Sequence, residues 1–391
     1  MKIIGEKLRI ARQIRNKTIT QLAKEVEISK QSISQFEAET AEPKGETIFK
    51  ISRILDFPIQ FFTIANKESI CVSHTFFRAL SSTSALEKNS YIEKTKLVTE
   101  IYDYLSEKLD LPQLNLYDLE IPDEINLESM EKLAHQVRVN WGLGDGPIWN
   151  VIGLLEENGI IVSVLKNDSS KIDAFTQIDV VDSRQRFCVM LESEKKSMPR
   201  RNFSAAHELG HIILHSRVPM NELDGLERSE LETQANLFAS CFLLPKETFK
   251  NDLKYPDEYD FYIELKKKWH VSIKAMIFRA HKLELINYEQ YVSLLKKYNY
   301  RMARDNVSGE RLEPLDNDIL IDKPQLFKLA FDMLFENKII TLDTMRGEMA
   351  NRGIALDEAL ICDVLPLDDN YFAKYRTNKE PLILKIRPQN N

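Results

Sequence analysis

Residues 205–215 read Ala-Ala-His-Glu-Leu-Gly-His-Ile-Ile-Leu-His, and the reading of this stretch decides the fold around it. As a helix, it sets His207 and His211 on one face a turn apart, so that both imidazoles reach a single divalent cation. Glu208 lies about 100° round the helix from His207. Its carboxylate therefore stands beside the metal rather than on it, placed to take a proton from a water that the metal activates. Phe203, Ala206, Leu209, Ile213 and Leu214 supply a face to bury, and Gly210 lets a second backbone come close. The pattern predicts a helix that carries two zinc ligands and a general base.

A catalytic zinc takes three protein ligands and keeps a fourth position open. His215 is a poor third ligand, because eight residues of helix put it about 12 Å from His207; it is expected to pack or to cap the helix end. The longer H-E-x-x-H-x-x-G-x-x-H pattern would need Gly at Leu214 and His at Arg217, and fails. Downstream, Glu232-Thr233-Gln234-Ala235-Asn236-Leu237-Phe238-Ala239-Ser240 reads as a second helix with a carboxylate facing the first. Glu232 is the best third ligand.

The 391 residues suffice for two or three domains, and a net charge of -7 argues against a protein that coats nucleic acid, while leaving room for a local basic patch. Cys71, Cys188, Cys241 and Cys362 are widely spread with no C-x-x-C pair, the pattern of reduced thiols in a cytosolic protein. Met1-Lys2-Ile3-Ile4 leads into a charged helix rather than a secretion signal, and no apolar run reaches the roughly 18 residues of a membrane span. The expected compartment is the cytoplasm.

Towards the N-terminus, Leu8, Ala11 and Ile14 fall at helical spacing; Thr18 is placed to cap a second helix and Ser29 a third, Lys30 to Glu37. This is helix-turn-helix grammar. Lys30, Gln31, Ser32 and Gln35 would stand at the exposed start of the third helix, where such side chains bond to base edges or phosphates of double-stranded DNA. Residues 1–64 hold 11 Lys/Arg against 8 Asp/Glu, a modest excess of +3 in an acidic chain. With Leu22-Ala23, Ser29, Ile33 and Glu37 in place, residues 7–64 resemble an XRE-type (Cro/repressor-like) DNA-binding domain. Two departures stand out: Glu27 and the region of Glu39 occupy positions that usually hold glycine. A homodimer on a near-palindromic operator is expected, since two half-sites raise affinity well above one small module.

The middle of the chain changes character twice. Residues 66–84 read as a polar connection ending at a helix cap, followed by a long packing helix from Ala85 to Lys108; Pro112 and Pro122 then mark a hinge. Helices are expected at Leu127–Trp141 and Ile148–Asn158, with Gly159 as a stop. Short β-rich runs at 160–165, 174–178 and 186–191 predict a small sheet beside the metal helix, of the kind whose edge strand holds a substrate backbone. Arg200 and Arg201 either bind a substrate carboxylate or stay solvated, and solvation is the more common outcome for such a pair. Leu265 to His281 reads as helix, turn and helix, with a structural role expected, and 300–390 as helices and loops without a chemical motif, the last residues from Lys379 loose.

The lead-in Ile148 to Gly159, then Arg201-Asn202-Phe203-Ser204-Ala205-Ala206-His207-Glu208-Leu209-Gly210-His211, then Glu232 to Ala239 and Leu243-Leu244-Pro245, make residues 127–291 resemble the ImmA/IrrE metallopeptidases. Phe76-Phe77-Arg78 at the junction fits the arrangement of such a domain behind an XRE-like one. The resemblance implies Glu232 as third zinc ligand; where a second glutamate often precedes the Ala-Asn pair, this chain has Gln234.

The fold class expected is α+β and mostly helical: an all-α helix-turn-helix domain (1–66), a helical linker (67–122), a zincin-like metallopeptidase domain with a small sheet (123–295) and an α-rich C-terminal region (296–391), regulatory or partner-binding. The function expected is a DNA-binding regulator joined to a gluzincin-like zinc endopeptidase that uses Zn2+, cleaving a protein that the resemblance implies is a repressor of the same circuit. A transcription factor whose metal fold senses a ligand or holds a partner, and a toxin-like protease, are the alternatives. Glu208 favours the enzyme, because a purely structural zinc has no need of it.

Overall fold

The structure, a computed structural model, describes residues 2–67, 70–77, 84–116, 119–166, 174–192, 197–218, 228–304 and 312–376. It opens with helices α1 (Gly5–Ile14), α2 (Ile19–Val26), α3 (Lys30–Glu37) and α4 (Gly45–Leu55), and a 3-10 turn at Ile59–Phe62. Local chemistry sets the starts of α2 and α3. The Thr18 hydroxyl accepts the Gln21 N–H while the Gln21 side chain accepts the Thr18 N–H, and the Ser29 hydroxyl accepts the Ser32 N–H. Glu27 and Glu39 adopt φ of 63° and 55°, the conformation that glycine takes most cheaply, so the two departures from the usual sequence cost about 1 kcal/mol each without changing the turns. The Glu39 carboxylate offsets part of this by accepting the Gly5 N–H at 2.9 Å. Gly5 is needed there, since a Cβ would lie 2.3 Å from the Glu37 carbonyl oxygen. Arg12, buried in α1, clamps Glu37 of α3 with bonds of 2.6 and 2.9 Å.

Residues 66–84 depart from expectation. Rather than a polar connection, Ile70–Phe77 forms strand β1; Arg78 and residues 79–83 lie outside the described residues. Ser84 then caps α5 (Ala85–Ser106) through a reciprocal pair with Glu87. After α6 (Leu127–Asn140) and α7 (Val151–Glu157) come β2 (Ile161–Leu165), β3 (Ala174–Val181) and β4 (Arg184–Glu192). Asn150 caps α7, which is why that helix starts later than the apolar pattern from Ile148 suggested. The sheet order is β1-β3-β4-β2, antiparallel except for the β2/β4 pair. Asp182 and Ser183, at φ 46° and 65°, make the two-residue turn that the twist of the β3/β4 hairpin favours.

The sheet is covered on both faces, and its side-chain alternation sorts two cores. Ile161, Leu165, Phe175, Cys188 and Met190 join α5, the N-terminal helices and the C-terminal region in one apolar cluster. Val162, Val164, Ile178, Phe187 and Val189 face the other way, into the cluster built by α6 to α13. The latter helices are α8 (Met198–His215), α9 (Arg228–Leu243), α10 (Lys246–Asp252), α11 (Tyr259–Trp269), α12 (Ile273–Lys282) and α13 (Tyr288–Arg304). The C-terminal helices α14 (Leu326–Glu336), α15 (Leu342–Asn351) and α16 (Glu358–Val364) pack on α5 and β2, where Ser163 donates to the Val364 carbonyl at 3.0 Å. Residues 377–391, which include the tail expected to be loose, lie outside the described residues.

The N-terminal helices are tied to this body. Lys7, buried, donates to the Gly353 carbonyl at 2.7 Å and lies over the Phe61 ring, and Ser90 of α5 donates to the Ile14 carbonyl. The proline-broken segment expected to be a hinge is held as well. Asn115 bonds to Asn158 through backbone and side chain, Trp141 donates to the Asn115 carbonyl, and Gly159 admits the Gln113 backbone, which would lie 2.4 Å from a Cβ. Among the described residues no helix is long and apolar enough to cross a membrane.

Candidate metal centre and DNA-facing helix

Helices α8 and α9 cross where Gly210 meets Ala235: a Cβ on Gly210 would lie 3.1 Å from the Ala235 Cα. This is the close approach expected of Gly210, and it brings Glu232 against the two histidines. Nε2 of His207 lies 3.1 Å from Nε2 of His211, and the Glu232 oxygens lie 3.3 and 3.5 Å from these two nitrogens. One donor atom from each residue falls within 4.8 Å of the others, the condition for holding one ion. Burial works against the charged form of Glu232, but its contacts with the His207 and His211 rings outweigh it and hold the carboxyl well below its usual range.

Each histidine of the pair is held through its other nitrogen. His207 Nδ1 lies 3.1 Å from Asn236 Oδ1, and His211 Nδ1 lies 3.0 Å from His215 Nδ1. His215 in turn meets Gln234 Oε1 at 2.9 Å. The donor set thus fits a metal: Nε2 of both rings is directed to one point, and the Nδ1 partners fix the rings there. His215 stands outside the donor group and packs, one of the two places expected of it; burial pushes its pKa down to about 4 and keeps it neutral. Phe76 of β1 stacks on the His211 ring at 5.2 Å, so the edge strand forms a wall of the site.

Glu208 sits beside the cluster, buried, and Thr176 of β3 donates to its Oε2 at 2.7 Å. Thr176 and Asn236 were not foreseen as site residues. The signal for Asn236 was its place four residues after Glu232; for Thr176 there was none, because its role depends on the packing of β3 over α8. Arg201, expected to be solvated, is buried and donates to the carbonyls of Glu192 and Asp322 at 2.8 and 3.2 Å. It holds the start of α8. His270 stacks on Trp149 and His281 on Tyr291.

In the N-terminal helices, Lys30, Gln31 and Gln35 are exposed on α3. Ser32 is half-buried, its hydroxyl 2.8 Å from that of Ser29, so it belongs to the helix cap as much as to the surface.

Residues 156–281 match the IrrE N-terminal-like domain of the M78 peptidases, and residues 8–62 match a helix-turn-helix domain. The chain combines these two domains. The IrrE-like match runs from the end of α7 to the end of α12 and takes in β2, β3, β4 and the α8/α9 pair. Strand β1, which completes the sheet beside the metal centre, comes from outside it. A search of curated proteins finds no match to the chain.

Proposed function

We propose that this chain is a cytoplasmic DNA-binding regulator whose IrrE-like domain is a zinc endopeptidase acting on one protein, a repressor of the same circuit. The observation that carries the reading is the combination of a three-residue donor cluster with a buried carboxylate beside it. His207, His211 and Glu232 would hold Zn2+, which when bound supplies a Lewis acid that activates a water and polarises a carbonyl. Glu208 is the general base in this reading: Thr176 fixes one of its oxygens, and it takes the proton of the attacking water and hands it to the leaving amine. Because β1 already pairs with the outer edge of β3, a substrate strand has to add to β1 or displace it, which favours a selective enzyme over a general one.

The division into 1–66, 67–122, 123–295 and 296–391 goes with this reading, the last part being regulatory. The full chain is expected to bind about one zinc per protomer, to leave casein intact and to cut its partner. Glu208→Gln should keep zinc and lose cleavage, whereas Glu232→Gln should lose most of the zinc. Comparing proteomes of source cells that express wild type or Glu208→Gln tests the enzyme: if no fragment depends on Glu208 while transcription changes equally with both, the domain is a sensor and not a peptidase.

For DNA, we propose that a homodimer reads a near-palindromic operator through Lys30, Gln31, Ser32 and Gln35. Alanine at Gln31 or Gln35 should weaken operator binding by about 1–3 kcal/mol if the side chain reads a base, while Lys30→Ala should weaken binding to all sequences alike and lower the salt dependence. Mobility shifts with the full chain distinguish these outcomes, and unchanged shifts with all of the variants would leave α3 as a protein contact.

A further inference from the structure

We propose that Gln234, acting through His215, decides which nitrogen of His211 is offered to the metal; the inference rests on the reading of His207, His211 and Glu232 as a zinc site. The two Nδ1 atoms of His211 and His215 lie 3.0 Å apart, so one must donate and the other accept. If His215 donated, a neutral His211 would carry its proton on Nε2, the atom 3.5 Å from Glu232 Oε1, and could not ligate. If His211 donates, its Nε2 keeps the lone pair that a metal needs, and it faces the lone pair of His207 Nε2, 3.1 Å away, a pair that a shared ion satisfies.

The choice is made one step further out. Gln234 Oε1 lies 2.9 Å from His215 Nε2, and an amide oxygen only accepts, so the His215 proton sits on Nε2 and its Nδ1 is left to accept from His211. The Gln234 amide could serve equally well turned round, but its nitrogen lies 3.4 Å from Glu230 Oε1, and a carboxylate only accepts. Glu230 therefore keeps the oxygen pointing inward. His207, His211 and His215 are all buried, and the His211–His215 link lies out of solvent, while Gln234 is half-buried. His207 is set in a single step by Asn236, whereas His211 depends on a relay of three residues from the same helix face and its neighbour.

Gln234 and His215 are positioning residues, and the test separates acceptor chemistry from shape. In the full-length chain, Gln234→Met keeps the length of the side chain and removes the acceptor, while Gln234→Glu keeps an acceptor. Zinc affinity, read by competition with a chromophoric chelator, is expected to fall about 10–100-fold in Gln234→Met and to hold or tighten in Gln234→Glu. The metal-free forms should melt together. Nitrogen-15 NMR of the histidine rings in the metal-free protein should show the His215 proton on Nε2 in wild type and a mixture of tautomers in Gln234→Met. Unchanged zinc affinity in Gln234→Met, or a wild-type His215 protonated on Nδ1, overturns the relay. A wild-type chain that binds no zinc overturns the metal-centre reading instead, and the metal-free NMR still decides the hydrogen-bond order by itself.

Discussion

Two segments of this chain use the same local grammar for different ends. Between α2 and α3 the turn runs Val26-Glu27-Ile28-Ser29, with Glu27 at φ 63° and Ser29 as cap; between α11 and α12 it runs Trp269-His270-Val271-Ser272, with His270 at φ 50° and Ser272 as cap. The residues after the two serines meet different surroundings. The start of α3 is exposed at Lys30 and Gln31. The start of α12 is closed: Ile273 is buried, and its N–H bonds to the carboxylate of Glu313 at 2.8 Å. Lys266 of α11 reaches the same carboxylate at 2.9 Å and Asp316 at 2.5 Å, all three side chains lying almost wholly out of solvent. Residues 313–316 take the N-terminus of α12, whereas the first residues of α3 are left exposed.

The largest effect should come from breaking the closed copy. Lys266→Met keeps the bulk of the side chain but leaves two buried carboxylates without their cation, and is expected to cost about 3–5 kcal/mol in equilibrium denaturation of the full chain. The same change at exposed Lys30 should leave stability within about 0.5 kcal/mol. Equal losses at the two lysines would end the contrast.

A second carboxylate at a helix start sharpens it. Glu156 of α7 accepts the N–H groups of Gln325 and Leu326 at the start of α14, with no lysine bonded to it among the described residues. Burial pushes its pKa up to about 7, against those two hydrogen bonds. The folded value lies above the unfolded one near 4.5. Its contribution to stability is therefore complete below about pH 4.5 and is lost as pH rises through about 7. Glu100, raised to about 7 by burial, acts with the same sign. Buried His215, lowered to about 4, acts with the opposite sign in the lower part of this range, so the test is a difference: from pH 4.5 to 8 the denaturation midpoint of the wild type should fall relative to that of Glu156→Gln. A slope unchanged by Glu156→Gln would remove this residue from the account.

The smallest effect concerns the caps. Ser29→Ala is expected to cost about 1 kcal/mol, because its hydroxyl holds the Ser32 N–H and no carboxylate among the described residues shares that task. Ser272→Ala removes the acceptor of the Ala275 N–H but leaves the Glu313 carboxylate on the Ile273 and Lys274 N–H groups, so the start of α12 keeps two of its bonds and the loss should be smaller. Thermal unfolding of both variants checks the order, and a larger loss at Ser272 would reverse it.

Much of the candidate metal centre was legible because it is written in short-range spacing. Four residues separate His207 from His211, and any helix places them together. The apolar runs likewise announced β2, β3 and β4 to within a few residues. Strand β1 was hidden: Ser73, His74 and Thr75 give it a polar surface, and its pairing partner lies about 100 residues away in β3. The acceptor roles of Asn236 and Gln234 needed the α8/α9 crossing before they had a meaning.

The sequence by itself determined the units: a capped helix-turn-helix at one end, a histidine helix in the middle, a carboxylate on the next helix, and the charge and turn chemistry that start and stop each element. Caps, helical spacing and alternation act within a few residues, so they survive whatever the rest of the chain does. Tertiary structure alone decided which helix N-terminus stays open, which strand walls the metal centre, where Thr176 meets Glu208, and how His215 passes the orientation of Gln234 to His211. These depend on groups distant in sequence being desolvated together. Only in that setting do a buried carboxylate, lysine or imidazole have to find partners, and only the packed chain supplies them.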